Sequence, residues 1–222
     1  VHSFPTRRSS DLPLMAPKRR LSYVADLLDE VREHKHLVVG LNTRVPIVAP
    51  YLLDEEMCRI VGRIRPANID LHILHPDEVT DGFLQACYGL RDSAHPPNLR
   101  TTHPIFSGIN DDAKLLSQMY VVLADRLQVS PKDLIVPIPT GTGPAKRLGL
   151  EQCMGIAREL HGLLPGNLLP RLIVCSPVYG KSYVDPFHLK SDGSFGYDRL
   201  PDGTYEGMYL KDGSALQRCR AL

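Results

Sequence analysis

The residues most suited to ligand chemistry lie in one turn near the middle of the chain: Thr140, Gly141, Thr142 and Gly143. An apolar run precedes the turn and a segment of helical character follows it. Glycine has no Cβ, so the backbone can turn sharply and a ligand can approach it closely. Backbone N–H groups ahead of a helix N-terminus, together with the two hydroxyls, can donate to an anion. The turn is therefore predicted to bind a phosphate group, and the alternative is a simple corner between a strand and a helix.

Two common nucleotide-binding motifs do not fit this turn. A P-loop requires Gly-Lys followed by Ser or Thr, whereas Gly143 is followed by Pro-Ala-Lys-Arg. The dinucleotide pattern G-x-G-x-x-G fails because Lys146 occupies the third glycine position. A phosphoribosyltransferase-like loop is a further alternative, but the acidic pair at the preceding strand end that such a site needs is missing.

The elements around the turn alternate between helical and strand periodicity. Helices are predicted over 21–36, from Asp54, from Asp77, over 111–127 and over 144–163, and strands over 37–41, 45–49, 69–74, 134–138 and 171–176. This alternation predicts an α/β fold with a mainly parallel sheet and helices on both faces. Ligands bind such sheets beyond the carboxyl ends of the strands, which is where the glycine turn lies.

The C-terminal segment has a different character. Asp-Gly pairs begin at Asp192, Asp202 and Asp212, a period of ten residues. Asp-Gly favours tight hairpin turns, so a small β-meander is predicted. Calcium binding is the alternative, although the acidic residues do not follow the spacing of a calcium loop.

The first twelve residues, VHSFPTRRSSDL, are set apart from the fold. FPTRRSSDL resembles the translation of a sequencing-library adapter, and an organelle transit peptide is the alternative. We therefore expect four parts: a disordered or artefactual leader over 1–20, a partial N-terminal α/β subdomain over 21–98, a glycine-loop α/β subdomain over 99–185 and a β-hairpin tail over 186–222.

Composition restricts the classes of partner. The net charge of +1 lacks the excess of basic residues that is typical of nucleic-acid-binding proteins. No apolar run approaches the roughly 20 residues of a membrane span. Five cysteines without C-x-x-C spacing indicate reduced thiols in an intracellular protein, in the cytoplasm or an organelle matrix, and no metal site is predicted.

The segment DLIVPIPTGTGPAKRLGLEQCMGIARELHGLLPGNLLPRLIVCSP (133–177) resembles the core of the fold-type-II pyridoxal-phosphate enzymes, particularly threonine synthases, and residues 45–90 and 103–127 follow the pattern of the elements before it. The resemblance implies that Thr140–Gly143 binds the phosphate of pyridoxal phosphate. It also implies a lyase that acts on a phosphorylated amino acid and releases phosphate, within a homo-oligomer or a larger assembly.

Two motifs of that family are missing. Its Schiff-base lysine has no match, because Lys18 in PKRR is a poor candidate, and Asn42 in GLNTR does not reproduce the Ser/Thr-Gly-Asn loop. The catalytic lysine therefore stays unassigned. Either the motifs lie upstream of the sequence, or the chain is an inactive relative that serves as a structural subunit.

Overall fold

The computed structural model describes residues 12–15, 18–32, 39–64, 67–137, 148–176, 180–184, 195–196, 205–209 and 217–219. The helices are α1 (Leu12–Met15), α2 (Lys18–Arg32), α3 (Val45–Val48), α4 (Glu55–Arg63), α5 (Asp81–Arg91), α6 (Ala113–Leu127) and α7 (Leu150–Leu163). The strands are β1 (Val39–Thr43), β2 (Ala67–Leu71), β3 (Asn98–Pro104), β4 (Ser130–Ile135), β5 (Arg171–Ser176), β6 (Gly180–Tyr183), β7 (Phe195–Gly196), β8 (Tyr205–Tyr209) and β9 (Gln217–Cys219).

The strands follow chain order in the main sheet, β1-β2-β3-β4-β5-β6. The first five are parallel, and β6 runs antiparallel to β5. The α/β class predicted from the sequence is therefore confirmed. The strands β7, β8 and β9 form a separate antiparallel sheet in that order, the arrangement of a meander.

The described residues divide into two compact units. The first draws on the described residues within 1–73, 77–101 and 126–129, and the second on those within 74–76, 102–125 and 130–222. In the first unit α2 contacts α4, and α5 contacts both α3 and α4. In the second unit α7 packs on β5, which also contacts β8.

The core of the first unit comes from one side of each strand and one side of each helix. The strands contribute Leu41, Ile69, Leu71 and Leu99, and the helices contribute apolar residues that include Ile60, Val61 and Phe83, all of them buried. Burying a side chain of this kind stabilises a fold by roughly 1.5–3 kcal/mol. Helix α4 begins where predicted, because Asp54 Oδ1 accepts a hydrogen bond from Met57 N at 2.9 Å.

Two predicted elements differ from the structure, and one strand was not predicted. The strand predicted over 45–49 is helix α3, because Thr43 Oγ1 accepts from Val45 N at 2.9 Å and Pro46 is favourable in a first helical turn. Helix α5 begins after Thr80, whose hydroxyl accepts from Phe83 N, whereas Asp77 lies in a short 3₁₀ turn. Strand β3 was not predicted, because its polar residues do not alternate with enough apolar ones.

The boundaries of the other elements shift by a few residues. Strands predicted over 37–41, 69–74 and 134–138 occupy Val39–Thr43, Ala67–Leu71 and Ser130–Ile135, whereas β5 matches its prediction of 171–176. Across the described ranges, none of the helices has the length and apolar character needed to cross a membrane.

Candidate functional site

One face of the strands β1, β2 and β3 is polar. Side chains alternate along a strand, and Gly40 pairs with Asn68 while Asp70 pairs with Arg100. Two residues from each of the three strands therefore lie on this face. We call it the polar face, and its members are Gly40, Asn42, Asn68, Asp70, Asn98 and Arg100.

A polar face is unusual for a parallel sheet. Such sheets are normally covered on both sides, and their strands then carry apolar residues in near-continuous runs. Here the opposite face has the expected character, with Leu41, Ile69 and Leu99 buried. The polar face therefore has the composition of a binding surface, and ligand sites of α/β proteins occur near the carboxyl ends of such strands.

An ion pair lies in the middle of the polar face. Asp70 Oδ1 accepts from Arg100 Nε at 2.8 Å and lies 2.7 Å from Arg100 Nη2. The side chain of Asp70 is 5% exposed and that of Arg100 is 23% exposed. Next to this pair, Asn98 Nδ2 donates to Asn68 Oδ1 at 3.1 Å.

The described residues leave room for a side chain at Gly40. A Cβ placed on this glycine would have none of their heavy atoms within 4 Å. Further along β3, the hydroxyls of Thr101 and Thr102 are buried and make no hydrogen bond within the part of the chain that the structure describes. Buried polar groups of this kind are rare and are often associated with function.

The carboxyl ends of β1 and β2 are tied together by Arg44. Its Nη1 donates to the carbonyl oxygen of His72 at 2.7 Å, and its Nη2 donates to Glu78 Oε1 at 2.7 Å. In addition, His72 N donates to the carbonyl oxygen of Thr43 at 3.0 Å. These contacts fix the positions at which both strands end, and so the edge of the polar face.

The second unit contains a cluster of charges around Asp133 on β4. Asp133 Oδ2 lies 2.8 Å from Lys181 Nζ on β6, and Asp133 Oδ1 lies 3.2 Å from Arg171 Nη2 on β5. Lys132 Nζ is more distant, at 3.8 Å. The carboxylate is 3% exposed, whereas Lys181 and Arg171 are 33% and 53% exposed. One buried anion thus links three strands and orients two cations.

Arg171 also borders a groove between α7 and the strands β5 and β6. Its guanidinium lies 4.5 Å from the ring centre of Tyr183. The groove has a volume of about 490 Å³, and Arg158 and His161 add polar groups to a mainly apolar lining.

A buried polar network stands beside the end of β3 in the second unit. His103 Nε2 and the Tyr120 hydroxyl are 2.8 Å apart, and Asn110 Nδ2 lies 3.4 Å from His103 Nδ1. Asn110 also bonds the backbone at Pro104 and Phe106. Burial raises the pKa of the Tyr120 hydroxyl above its usual range, so this group stays protonated.

The cysteine side chains that the structure describes, those of Cys58, Cys87 and Cys153, are not grouped as metal ligands. Burial raises the pKa of Cys58 to about 11, and the pKa values of Cys87 and Cys153 to about 12, so all three are neutral thiols at physiological pH. Among the residues that the structure describes, no three His, Cys, Asp or Glu side chains are grouped to bind a metal ion.

The predicted phosphate-binding residues Thr140, Gly141, Thr142 and Gly143 lie outside the described residues. Of the two positions weighed for the missing motifs, Lys18 pairs with Asp54 and Glu56 at 2.6 and 2.7 Å, and Asn42 belongs to the polar face. The sequence did not predict a role for Asp70, Arg100, Asp133 or Lys181. The one available signal was a charged residue within or next to an apolar strand, and it applies to Asp70 and Asp133.

The chain is similar in sequence to known 2,3-aminomutases. It is 29% identical over 167 residues to a putative L-lysine 2,3-aminomutase of Aquifex aeolicus, a match that covers 74% of this chain and 44% of that protein. It is 26% identical over 191 residues to glutamate 2,3-aminomutase of Clostridioides difficile, covering 85% and 44%. It is 25% identical over 202 residues to L-lysine 2,3-aminomutase of Clostridium subterminale, covering 88% and 45%.

This chain therefore spans less than half the length of the relatives that it matches. No protein-family model matches it.

These relatives overturn the assignment to the fold-type-II pyridoxal-phosphate enzymes. They are aminomutases, which are isomerases, so the predicted threonine-synthase-like lyase is wrong. The prediction of pyridoxal phosphate rested on the same assignment and is wrong as made. The structural-subunit alternative is not supported either. The error has a physical origin: a strand, a glycine turn and a helix recur in many α/β proteins and do not define a chemistry.

Proposed function

We propose that this chain forms part of an amino-acid 2,3-aminomutase, an isomerase that moves an amino group between adjacent carbon atoms. The similarity to proteins of that name over most of this chain is the observation that supports the proposal. A polar face with a charged pair, on a parallel sheet, is compatible with a small, zwitterionic substrate.

The reaction balances without an external oxidant or reductant. The amino group leaves carbon 2 and joins carbon 3, and one hydrogen atom moves from carbon 3 to carbon 2. The hydrogen on carbon 3 of an ordinary amino acid is not acidic, so its removal calls for radical chemistry. Cofactors such as adenosylcobalamin, or S-adenosylmethionine with an iron–sulfur cluster, supply that chemistry.

The described residues do not fit an iron–sulfur cluster. Such a cluster needs several cysteine thiolates close together. Cys58, Cys87 and Cys153 are buried neutral thiols, and the described ranges contain no group of three side chains placed to bind a metal ion. We therefore assign the described residues a role in binding and orienting the substrate, and derive no step that passes through a cluster.

The finer features predicted from the sequence remain proposals. They comprise the intracellular location, the homo-oligomer or larger assembly, and the subdomain boundaries near residues 98 and 185. None of them is needed for the aminomutase proposal.

An isotope experiment tests the proposal directly. The protein is incubated without oxygen with L-lysine or L-glutamate carrying ¹³C at carbon 2, and with each radical cofactor in turn. The ¹³C resonance should move from an amine-bearing carbon to a methylene carbon, while the mass of the amino acid stays the same. Release of ammonia or phosphate without this isomer, or no reaction with either cofactor, would contradict the proposal.

A further inference from the structure

We propose that the groove between α7 and the strands β5 and β6 is a second ligand site, which binds a small carboxylate with an aliphatic chain. All the residues that line the groove belong to the second unit. The inference goes beyond the aminomutase function and does not depend on it, because the groove lies at a different end of the sheet from a substrate site.

The groove lies at the amino end of β5. Arg171 is the first residue of that strand, and Leu169 and Pro170, which precede it, also line the groove. Val184 N donates to the carbonyl oxygen of Leu172 at 3.0 Å, which brings the end of β6 to the same place. Substrates of α/β proteins bind beyond the carboxyl ends of parallel strands. The groove is therefore at the opposite end of β5 from a substrate site of that kind.

The floor of the groove is aliphatic. The half-buried residues that form it are Met154, Ala157, Leu169, Leu172 and Val184. A volume of about 490 Å³ and an apolar lining with a few polar groups are typical of small-molecule sites. An aliphatic chain that lies on this floor removes apolar surface of both molecules from water, which favours binding.

Basic side chains stand at the rim of the groove. Arg158 and His161 are three residues apart on α7, so they share one face of the helix, and both are exposed. Within the described ranges, neither side chain has a hydrogen bond or an ion pair. Arg171 adds a third basic group on β5, and none of the described lining residues is acidic. The rim is therefore complementary in charge to an anion.

The guanidinium of Arg171 is held in place on two sides. Its Nη2 lies 3.2 Å from Asp133 Oδ1, and its centre lies 4.5 Å from the ring centre of Tyr183. The single charge of Asp133 is shared with Lys181, so positive charge remains on the cluster. Arg171 is 53% exposed, and a solute can reach its other N–H groups. A fixed orientation lowers the entropy lost when an anion binds.

The test uses the full chain and the fluorescent anion 8-anilinonaphthalene-1-sulfonate, whose emission rises when it moves from water to an apolar surface. Octanoate is titrated against the bound probe. Octylamine and 1-octanol, which have the same chain without the negative charge, are titrated in parallel, and inorganic phosphate tests whether charge alone is sufficient. We expect octanoate to displace the probe at a concentration about tenfold lower than the other three compounds require.

Two variants change the rim and the floor separately. Arg158→Gln should weaken octanoate binding by about 3- to 10-fold, because water screens the charge of this exposed residue. Ala157→Phe should weaken it by about tenfold without a change in charge, because the larger side chain fills the floor. Arg171 is left unchanged, because it also supports the buried carboxylate of Asp133.

The matched control is Arg59→Gln, which removes an exposed arginine of α4 in the first unit. It should bind octanoate as the wild type does, and thermal unfolding verifies that each variant is folded. Wild-type affinity in either Arg158→Gln or Ala157→Phe would overturn the inference. So would the absence of saturable probe binding, or displacement by octylamine, 1-octanol or phosphate at the concentration that octanoate requires. None of these results bears on the aminomutase function, since the assay contains no substrate of that reaction.

Discussion

Asp133 and Lys181 are joined by a contact of 2.8 Å between Oδ2 and Nζ, although β5 lies between their two strands. The carboxylate is almost completely buried and the ammonium group is partly exposed. Loss of one partner from a buried pair leaves the other charge poorly compensated, which costs more than the loss of an exposed pair.

The first prediction concerns this pair. Asp133→Asn and Lys181→Met should each lower the free energy of unfolding by about 1–3 kcal/mol, and the double variant should lose less than the sum of the two. Denaturant titration of the four proteins measures the coupling. Lys132→Met is the control, since its Nζ is 3.8 Å from the carboxylate and should couple weakly. Strict additivity of the two changes would contradict a direct interaction.

The second prediction concerns the hydroxyl of Tyr120. Tyr120→Phe removes the group that lies 2.8 Å from His103 Nε2 in a fully buried setting, and should cost about 1–3 kcal/mol of stability. Tyr51→Phe changes a residue that is 78% exposed and should have almost no effect. Thermal unfolding compares the two variants, and equal melting temperatures would show that the hydroxyl does not contribute.

The third prediction concerns the start of α4 and its dependence on pH. The hydrogen bond from Lys18, followed by that from Met57 N, lowers the pKa of Asp54 below its usual value of 3.8. A carboxylate whose pKa is lower in the folded than in the unfolded chain stabilises the folded state when the pH is above the unfolded pKa. This stabilisation is lost as the pH falls below about 3.8. Asp54→Asn keeps an acceptor for Met57 N but removes the charge.

Asp54→Asn should therefore lose less melting temperature than the wild type between about pH 5 and pH 2, the range in which carboxylates titrate. Thr80→Ala is a useful comparison, because it removes the cap of α5 and should cost about 1 kcal/mol at every pH. An identical acid response in the wild type and Asp54→Asn would count against the contribution of Asp54.

The fourth prediction concerns thiol reactivity. Because burial raises their pKa values to about 11 or 12, Cys58, Cys87 and Cys153 should resist iodoacetamide at pH 8 in the folded protein and react after addition of urea. Peptide mapping by mass spectrometry reads each cysteine separately. Rapid labelling of Cys87 without denaturant would show that α5 is less well packed than its full burial indicates.

The elements that the sequence predicted correctly are those with strong local signals. Helix α4 follows from the cap at Asp54 and the apolar spacing after it, and β5 follows from the run RLIVCS. Strand β3 gave no such signal, since only Leu99 of its first three residues is apolar. The helix at Val45–Val48 was hidden because its residues have β-type character, and tertiary context decided its conformation.

The candidate sites could not be predicted, because their partners are distant in the chain. Asp70 and Arg100 are 30 residues apart, and Asp133 and Lys181 are 48 residues apart. Local spacing carries no information on which strands become neighbours. The glycine turn is recognisable in the sequence because its residues are adjacent, whereas the charged pairs form only when the strands come together in the sheet.

The ion pair between Asp70 and Arg100 also has a consequence for how the chain folds. A shift of β3 by a single residue against β2 would place Thr101 opposite Asp70 and turn Arg100 toward the buried apolar face of the sheet, where a charge without a partner is costly. The same shift would separate Asn68 from Asn98. These polar pairs therefore penalise mispaired intermediates, and variants that lack them should misfold and aggregate more often during refolding, even where the native state survives.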